Sequence, residues 1–209
     1  MPVYYQQNIN ETTRLAVWKI AEEENFFLEK VAIDPPASHP NKRLQHLAGR
    51  YLLQYLYPDF PIELIRIADT KKPYLQDDPL HFSISHAGEY AAAIISSTQR
   101  VGIDIEIVSP RVEKIKHKFL HSTELESIAH LSGDELINQL TLLWSAKEAV
   151  FKWWGKGGVD FSEMIRTSSF SCNTSGLILG EFLNNEFSQS LELYYRLSEG
   201  TSLVWVAGN

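Results

Sequence analysis

The chain has 209 residues, a length that allows one sizeable folded unit or two small domains. Hydrophobic residues make up 44% and charged residues 22%, which is ordinary for a soluble folded protein, and no apolar run reaches the roughly 18 residues of a membrane span. The net charge of −7 disfavours nucleic acid as the main partner. Cys172 is the only cysteine, so no intrachain disulfide can form, and without an export signal at the N-terminus a cytoplasmic location is expected.

Hydrophobic patterning in the first half predicts a strand, two helices and then four short strands. The second helix is the clearer of the two, because Leu44, Leu47, Ala48 and Tyr51 recur at helical spacing. The strands are short runs rich in Ile, Ala and Val. The predicted order is strand 3–7, helix 11–30, helix 41–57, and strands 62–68, 81–85, 90–96 and 101–108.

The second half repeats this order in outline. The predicted elements are helices 111–118, 123–131 and 134–154, followed by strands 168–172, 177–182, 191–197 and 202–206. We therefore expect an α+β fold built from two similar halves with pseudo-twofold symmetry, each a small antiparallel sheet packed against a long helix. The halves are residues 1–102 and 103–209, and the active site is expected at their junction, a favoured place for ligands.

Two carboxylates stand at alternate positions in the strand predicted at 101–108. Asp104 and Glu106 point to one face of such a strand, while Ile103 and Ile105 take the other face and indicate a core. A solvated strand face is the ordinary explanation for an acid pair of this kind.

A second group of charges lies on the helix predicted at 134–154. Trp144, Glu148 and Lys152 form one stripe, because residues four apart are neighbours on a helix. A surface ion pair between Glu148 and Lys152 is the simple alternative. However, the large aromatics Trp144 and Phe151 have little place on a purely solvated face. Together the two acidic groups predict a phosphate-handling metal site, since Mg²⁺ binds through few carboxylates, waters and substrate phosphates.

Positive charge is concentrated in residues 111–118. This segment contains five basic residues and one acidic residue: Arg111, Lys114, Lys116, His117 and Lys118, against Glu113. Either it is a solvated helix face or it docks an acidic partner.

Three segments together resemble the 4′-phosphopantetheinyl transferases, specifically the longer Sfp-type enzymes. They are His81-Phe-Ser-Ile-Ser-His-Ala-Gly88, Val101-Gly-Ile-Asp-Ile-Glu106 and Trp144-Ser-Ala-Lys-Glu-Ala-Val-Phe-Lys152, in the order and spacing of that family. A fourth segment, Phe119-Leu-His-Ser-Thr-Glu124, is similar to the family's Phe-Phe-x-x-x-Glu segment.

The resemblance implies an enzyme that transfers the phosphopantetheine arm of coenzyme A to a serine of an acyl or peptidyl carrier protein and releases 3′,5′-ADP. It implies that Asp104, Glu106 and Glu148 hold Mg²⁺ against the pyrophosphate. Glu148 is also expected to take the proton of the carrier serine, directly or through a water molecule. Lys152 is the expected phosphate contact that neutralises or protonates the leaving group.

The same resemblance implies contacts to coenzyme A from two loops. Lys72 and Pro73 match the family's Lys-Pro beside the adenine. Ser85 and His86 match the segment whose histidine contacts a phosphate of coenzyme A.

Further phosphate contacts are expected from cationic side chains. Arg43 stands where a contact to the 3′-phosphate is expected, and Lys42 and Arg50 are weaker candidates, Arg50 being equally compatible with a place on the helix surface. Lys147 matches the lysine of the family's Trp-x-x-Lys-Glu motif, and it either binds phosphate or only orients Glu148.

The partner implied by the resemblance is an acidic carrier protein, which residues 111–118 would attract, and the pseudo-symmetric halves favour a monomer. Two other readings stay open. One is a module that binds coenzyme A or a carrier protein without catalysis. The other is a different Mg²⁺-dependent enzyme of phosphate transfer.

Overall fold

A computed structural model describes residues 3–31, 39–70, 72–76 and 80–208. Five α-helices lie in these ranges: α1 Glu24–Leu28, α2 Pro40–Leu56, α3 Ser122–Ser127, α4 Gly133–Trp154 and α5 Phe161–Met164. The segments Ile62–Leu64 and Pro110–Lys118 are 3₁₀ helices. The strands are β1 Val3–Asn8, β2 Thr13–Lys19, β3 Ile65–Ile67, β4 Pro73–Leu75, β5 His81–Ala87, β6 Tyr90–Ser96, β7 Arg100–Ile107, β8 Ile165–Thr167, β9 Ser175–Leu183, β10 Ser188–Ser198 and β11 Thr201–Gly208.

The predicted α+β class is confirmed, and each half contains an antiparallel sheet and a long helix. In the first half the strand order is β1-β2-β6-β5, and α2 packs on this sheet. In the second half the order is β7-β11-β10-β9-β8, and α4 packs on it. A separate two-stranded sheet pairs β3 with β4. The pseudo-twofold relation and the division at residue 102 stay predictions.

The two sheets adjoin where β5 runs beside β7. The backbone N–H of Ile103 donates to Ser83 Oγ at 3.2 Å, which joins the two strands. An apolar cluster with side chains from both sheets fills the space between them, including Leu15, Ile94, Ile105 and Trp205. The acids of β7 therefore lie where the two halves meet.

The helix predicted at 11–30 is wrong, because most of this segment is the strand β2 followed by the short helix α1. Leu15 and Val17 pack into the cluster between the sheets, while Ala16 and Trp18 pack on the α2 side. A strand that is buried on both faces lacks the alternation of polar and apolar residues by which a strand is identified in a sequence. Its apolar residues were therefore mistaken for a helical pattern.

Other differences concern element ends. Residues 62–68 form a 3₁₀ turn and then the short β3, residues 111–118 are 3₁₀ rather than α-helical, and α3 ends at Ser127. The strand predicted at 168–172 is replaced by β8, three residues earlier in the chain. Within the described ranges, no helix is both long enough and apolar enough to cross a membrane.

Candidate active site

The close approach of α4 to β7 is made possible by Gly102. A Cβ atom added to this residue would lie 2.0 Å from the carbonyl oxygen of Ala149 and 2.8 Å from the backbone nitrogen of Trp153. The helix backbone thus rests directly on the strand, which only glycine permits. This contact brings the side chains of Glu148 and Lys152 to the same face of β7 as Asp104.

Asp104 is the centre of the site and is only 2% exposed. Its Oδ1 accepts hydrogen bonds from Ser85 Oγ at 2.9 Å and from Lys152 Nζ at 2.6 Å, and Lys152 also donates to Ser85 Oγ at 2.9 Å. Its Oδ2 is buried and has no hydrogen-bond partner in the described part of the chain. A buried carboxylate oxygen without a partner is costly, so this atom is available to a ligand.

The other two predicted ligands are half-buried. Trp144 Nε1 donates to Glu106 Oε1 at 3.2 Å, and the pKa of Glu106 is raised by burial and then by the charge of Asp104. The pKa of Glu148 rises to about 7, first through burial and next through Asp104, while Lys152 lowers it and Glu106 raises it further. Near neutral pH, Glu148 can therefore both accept and release a proton.

These three carboxylates fit a hard cation in their chemistry. Asp104 offers an unpartnered oxygen, and the mutual repulsion that raises the other two pKa values is what a bound cation relieves. Within the described ranges, no group of three His, Cys, Asp or Glu side chains is arranged to hold a metal ion as it stands. Mg²⁺ needs only one or two protein carboxylates when waters and phosphates complete its shell, so the donor set suits that ion.

Arg50 of α2 is a buried basic residue whose charge acts on His46, which is in turn coupled to His86 of β5. Arg50 is 9% exposed, burial lowers its pKa to about 10, and no ion pair or hydrogen bond involves its side chain in the described part of the chain. The pKa of His46 falls to about 4, through burial, then the charge of Arg50, then that of His86. The pKa of His86 is in turn lowered by partial burial and by Lys152. An unpaired buried guanidinium calls for an anionic ligand.

Arg43 is placed differently from Arg50. Its Nη2 lies 2.7 Å from Glu24 Oε1, so at least one carboxylate already neutralises it. Sequence reasoning ranked Arg43 first and gave Arg50 an equal chance of a surface position. The signal that separates the two is helical spacing, because Arg50 lies three residues from both Leu47 and Leu53, which are fully buried.

Lys72 reaches the site through the end of α4. Its Nζ donates to the carbonyl oxygen of Lys152 at 2.5 Å, and burial and then Arg100 lower its pKa to about 8. This approach needs Gly155, which has φ +71° and whose missing Cβ would lie 2.5 Å from Lys72 Nζ. A cavity of about 190 Å³ adjoins Lys72 and Pro73 and extends to Phe151 and Lys152. A neighbouring cavity of about 270 Å³ shares Lys72 and Pro73 and extends to His81, Arg100 and Lys156.

Lys147 is not available as a phosphate contact in this structure. Its side chain is fully buried, and Nζ donates to Glu124 Oε2 at 2.7 Å and to the carbonyl oxygens of Phe161 and Ile165 at 3.0 and 2.6 Å. An ammonium group has three N–H donors, and all three are used. Of the two roles that the sequence left open for Lys147, the geometry supports only the orientation of Glu148.

The structure thus joins Asp104, Ser85 and Lys152 by direct bonds. Glu106, Glu148 and His86 are coupled to the same group through their charges. Lys72 donates a hydrogen bond to the backbone of Lys152 and not to a side chain of the site in the described ranges, and the bonds of Arg43 and Lys147 lead elsewhere.

Comparison with known proteins finds one matching family model and several similar proteins. The family model of the 4′-phosphopantetheinyl transferase superfamily matches residues 100–201, a range that includes β7 and α4. The chain is 35% identical over 113 residues to the 4′-phosphopantetheinyl transferase gsp of Aneurinibacillus migulanus, covering 53% of this chain and 46% of that protein. It is 38% identical over 87 residues to the 4′-phosphopantetheinyl transferase Sfp of Bacillus subtilis (strain 168), covering 41% and 38%.

A third relative is a component of enterobactin synthase. The chain is 33% identical over 111 residues to the enterobactin synthase component D of Salmonella austin, covering 53% of this chain and 47% of that protein. The chain therefore spans about half the length of the curated relatives it matches.

Proposed function

We propose that the protein belongs to the 4′-phosphopantetheinyl transferase superfamily, whose family model matches residues 100–201, and that it transfers the 4′-phosphopantetheine arm of coenzyme A to a serine of an apo carrier protein. The products are holo carrier protein and 3′,5′-ADP. The observation that carries the proposal is the arrangement around Asp104, where an unpartnered carboxylate oxygen lies beside a lysine and is coupled by charge to a glutamate with a pKa of about 7. The proposal includes Sfp-type membership, action as a monomer and a cytoplasmic location.

Glu148 is the general base of the proposed reaction. With a pKa raised to about 7 it is partly ionised at neutral pH, and it accepts the proton of the carrier serine. The serine oxygen then forms a bond to the β-phosphorus of coenzyme A. The bond between that phosphorus and the bridging oxygen breaks, and 3′,5′-ADP leaves with the electron pair.

Lys152 serves the leaving group. Its Nζ lies among Ser85 and Asp104, where it can shift from the carboxylate to a phosphate oxygen when the substrate binds. It neutralises the charge that develops there, or protonates it.

Asp104, Glu106 and Glu148 would hold Mg²⁺. When bound, the ion screens charge on the pyrophosphate and relieves the repulsion among the three acids. The unpartnered Oδ2 of Asp104 supports this assignment most directly.

The coenzyme A site extends from this centre toward α2 and β4. His86 and Ser85 border the phosphates, and the two cavities beside Lys72 and Pro73 offer space for the nucleoside. For the 3′-phosphate we propose Arg50 as the main cation in place of Arg43, because burial without a counter-charge leaves Arg50 in need of an anion.

The acidic carrier protein is proposed to dock on the 3₁₀ helix Pro110–Lys118, which directly follows β7. Lys114 and Lys118 have exposed side chains, whereas Lys116 is partly neutralised by Glu113 at 3.4 Å. A positive segment beside the acids would steer a negatively charged partner toward Glu148.

The test is the intact mass of an apo acyl carrier protein after incubation with this protein, coenzyme A and Mg²⁺. We expect a gain of one phosphopantetheine group, absent when the metal is chelated. Binding of coenzyme A without any gain on several unrelated carriers would favour the binding module. Turnover of nucleotides without a protein acceptor would favour a different enzyme of phosphate transfer.

A further inference from the structure

The ion pair of Glu124 and Lys147 adjoins the candidate base but takes no part in the proposed chemistry. Glu124 is 4% exposed and Lys147 is fully buried, and 2.7 Å separate Oε2 from Nζ. Lys147 directly precedes Glu148 in α4, whereas Glu124 comes from α3. The pair therefore connects the catalytic helix to a separate element.

Every polar atom of this pair has partners. Oε2 of Glu124 also accepts from the backbone N–H of His121 at 2.8 Å, and Oε1 accepts from the N–H and the hydroxyl of Thr167 at 2.8 and 2.7 Å. Lys147 donates in addition to the carbonyl oxygens of Phe161 and Ile165. One buried network thus joins α3, α4, α5 and β8.

Stability alone does not require charges at this place. Replacing a buried ion pair by apolar side chains of similar size is often neutral or stabilising, because both charges lose their hydration. Ala146, Ala149 and Val150 are fully buried and already fix α4 against the sheet. What the ion pair adds is direction, because hydrogen bonds depend more strongly on the angle between donor and acceptor than apolar contacts do on the orientation of a side chain.

The direction matters because of the helix geometry. Side chains of consecutive residues in an α-helix point about 100° apart, so an anchor on Lys147 fixes the rotation of α4 around its axis. That rotation decides how Glu148 faces β7. It also decides the bond between Trp144 Nε1 and Glu106, which is 3.2 Å long.

We infer that Glu124 and Lys147 are positioning residues, which set the rotation of α4 and thereby the direction in which Glu148 faces Asp104 and Glu106. Neither side chain touches the substrate. The inference rests on the proposed function for its catalytic consequence, but the orientation of α4 can be measured independently of catalysis.

The experiment uses the double substitution Lys147→Met with Glu124→Gln, which removes both charges together and leaves no single buried charge. The matched control is Glu163→Gln with Arg166→Met, which removes a more exposed pair of 3.1 Å between α5 and β8, with side chains 63% and 25% exposed. The readout is the indole N–H resonance of Trp144 in the full chain, identified by its loss in Trp144→Phe. Transfer kcat and the KM for coenzyme A are measured in parallel.

In the double variant we expect the Trp144 resonance to shift or broaden and kcat to fall about tenfold, with KM for coenzyme A within about twofold. The control variant should leave all three unchanged. An unchanged resonance together with an unchanged kcat in the folded double variant would overturn the inference. If the wild-type protein does not transfer phosphopantetheine, the proposed function fails, while the resonance still decides the orientation of α4.

A milder variant covers the case in which the double variant does not fold. Thr167→Val removes one hydroxyl bond to Glu124 and keeps the ion pair and the backbone bond. We expect a smaller shift of the same resonance and a fall in kcat of about threefold. No change in either quantity would contradict the positioning role.

Discussion

Lys147 and Glu148 are neighbours in α4, yet their surroundings are opposite. Lys147 is fully buried and each of its N–H groups has an acceptor. Glu148 is half-buried and its carboxylate has no hydrogen bond within the described ranges, and burial first and then the charge of Asp104 raise its pKa to about 7. On the Lys147 side the charged groups are paired, whereas on the Glu148 side Asp104 Oδ2 is buried without a hydrogen-bond partner within the described ranges. Unsatisfied polar groups, rather than charge as such, mark the functional side.

The largest contrast is expected from matched carboxamide substitutions on the two sides. Asp104→Asn should lower kcat/KM about 1,000-fold, because it removes a charge proposed to hold the metal, and should cost less stability than Glu124→Gln, because the Lys152 side chain it leaves behind is 22% exposed and can reach water. Glu124→Gln should cost about 3 kcal/mol of stability, because it leaves Lys147 as a buried charge without its counter-charge. Transfer kinetics and chemical denaturation measure the two effects. Equal losses of stability in both variants would remove the distinction between the sides.

The contact between α4 and β7 can be broken at Gly102. A Cβ there meets backbone atoms that cannot rotate away, so Gly102→Ala should cost about 3 kcal/mol and lower kcat about 100-fold. Gly208→Ala on the adjacent strand is the control, since a Cβ at Gly208 meets open space. Denaturation curves of the two variants should therefore separate clearly, and coincident curves would show that α4 can move without loss.

The pH dependence of stability tests the side of α4 that carries Glu148. The pKa of Glu148 is raised from 4.5 to about 7 in the folded state, so between these pH values the folded protein binds more protons than the unfolded chain. Relative to Glu148→Gln, the metal-free wild type should therefore lose about 3 kcal/mol of stability between pH 4.5 and 7.5. The difference between the two proteins is the quantity to measure, by urea denaturation in a chelator, because the lowered pKa values of His46 and His86 make stability rise with pH in both proteins. Parallel pH profiles of the two proteins would assign the pH dependence to other groups.

Arg50 extends the comparison to α2. Arg50→Met should raise the KM for coenzyme A about tenfold, with less effect on dephospho-coenzyme A, and should not lower stability, because the guanidinium is buried without a counter-charge. Arg43→Met is the paired variant, and its effect on KM should be smaller, since Glu24 already binds that side chain. The reverse ranking of the two arginines would restore Arg43 as the phosphate ligand.

The smallest effect is expected at the exposed 3₁₀ helix Pro110–Lys118. Reversing the charge at Lys114, Lys116 and Lys118 should raise the KM for the carrier protein about fivefold and leave the KM for coenzyme A unchanged. Lys30→Glu in the first half serves as a control for a single charge reversal away from this segment, to be compared with Lys114→Glu alone. Equal effects on both substrates would contradict a docking role for this segment.

The sequence predicted the elements that carry the site better than those that surround it. β7 and α4 were found because a glycine-flanked acid pair and a four-residue stripe are local patterns. β2 was mistaken for a helix because burial on both faces removes the alternation that identifies a strand. Its burial arises from a second sheet that packs against it, which no local pattern reveals.

The side chains of the site show the same limit. The grouping of Asp104, Glu148 and Lys152 follows from spacing in a strand and a helix. The engagement of Lys147 with Glu124 and the lack of a counter-charge at Arg50 depend on contacts between distant segments. A sequence motif specifies which residue types stand at a site. The bonding partners of each side chain in the fold decide which polar groups remain available to bind a ligand.

The apolar cluster between the two sheets has a consequence for how the chain can be divided. The family-matched range 100–201 supplies Val101, Ile103 and Ile105 to this cluster, and Leu15 and Val17 of β2 cover them. A fragment with the second half alone would contain most of the candidate metal and catalytic side chains but would expose this apolar surface to water. Such a fragment would associate with another copy or aggregate. The first half therefore covers this apolar surface, in addition to the substrate contacts proposed for it.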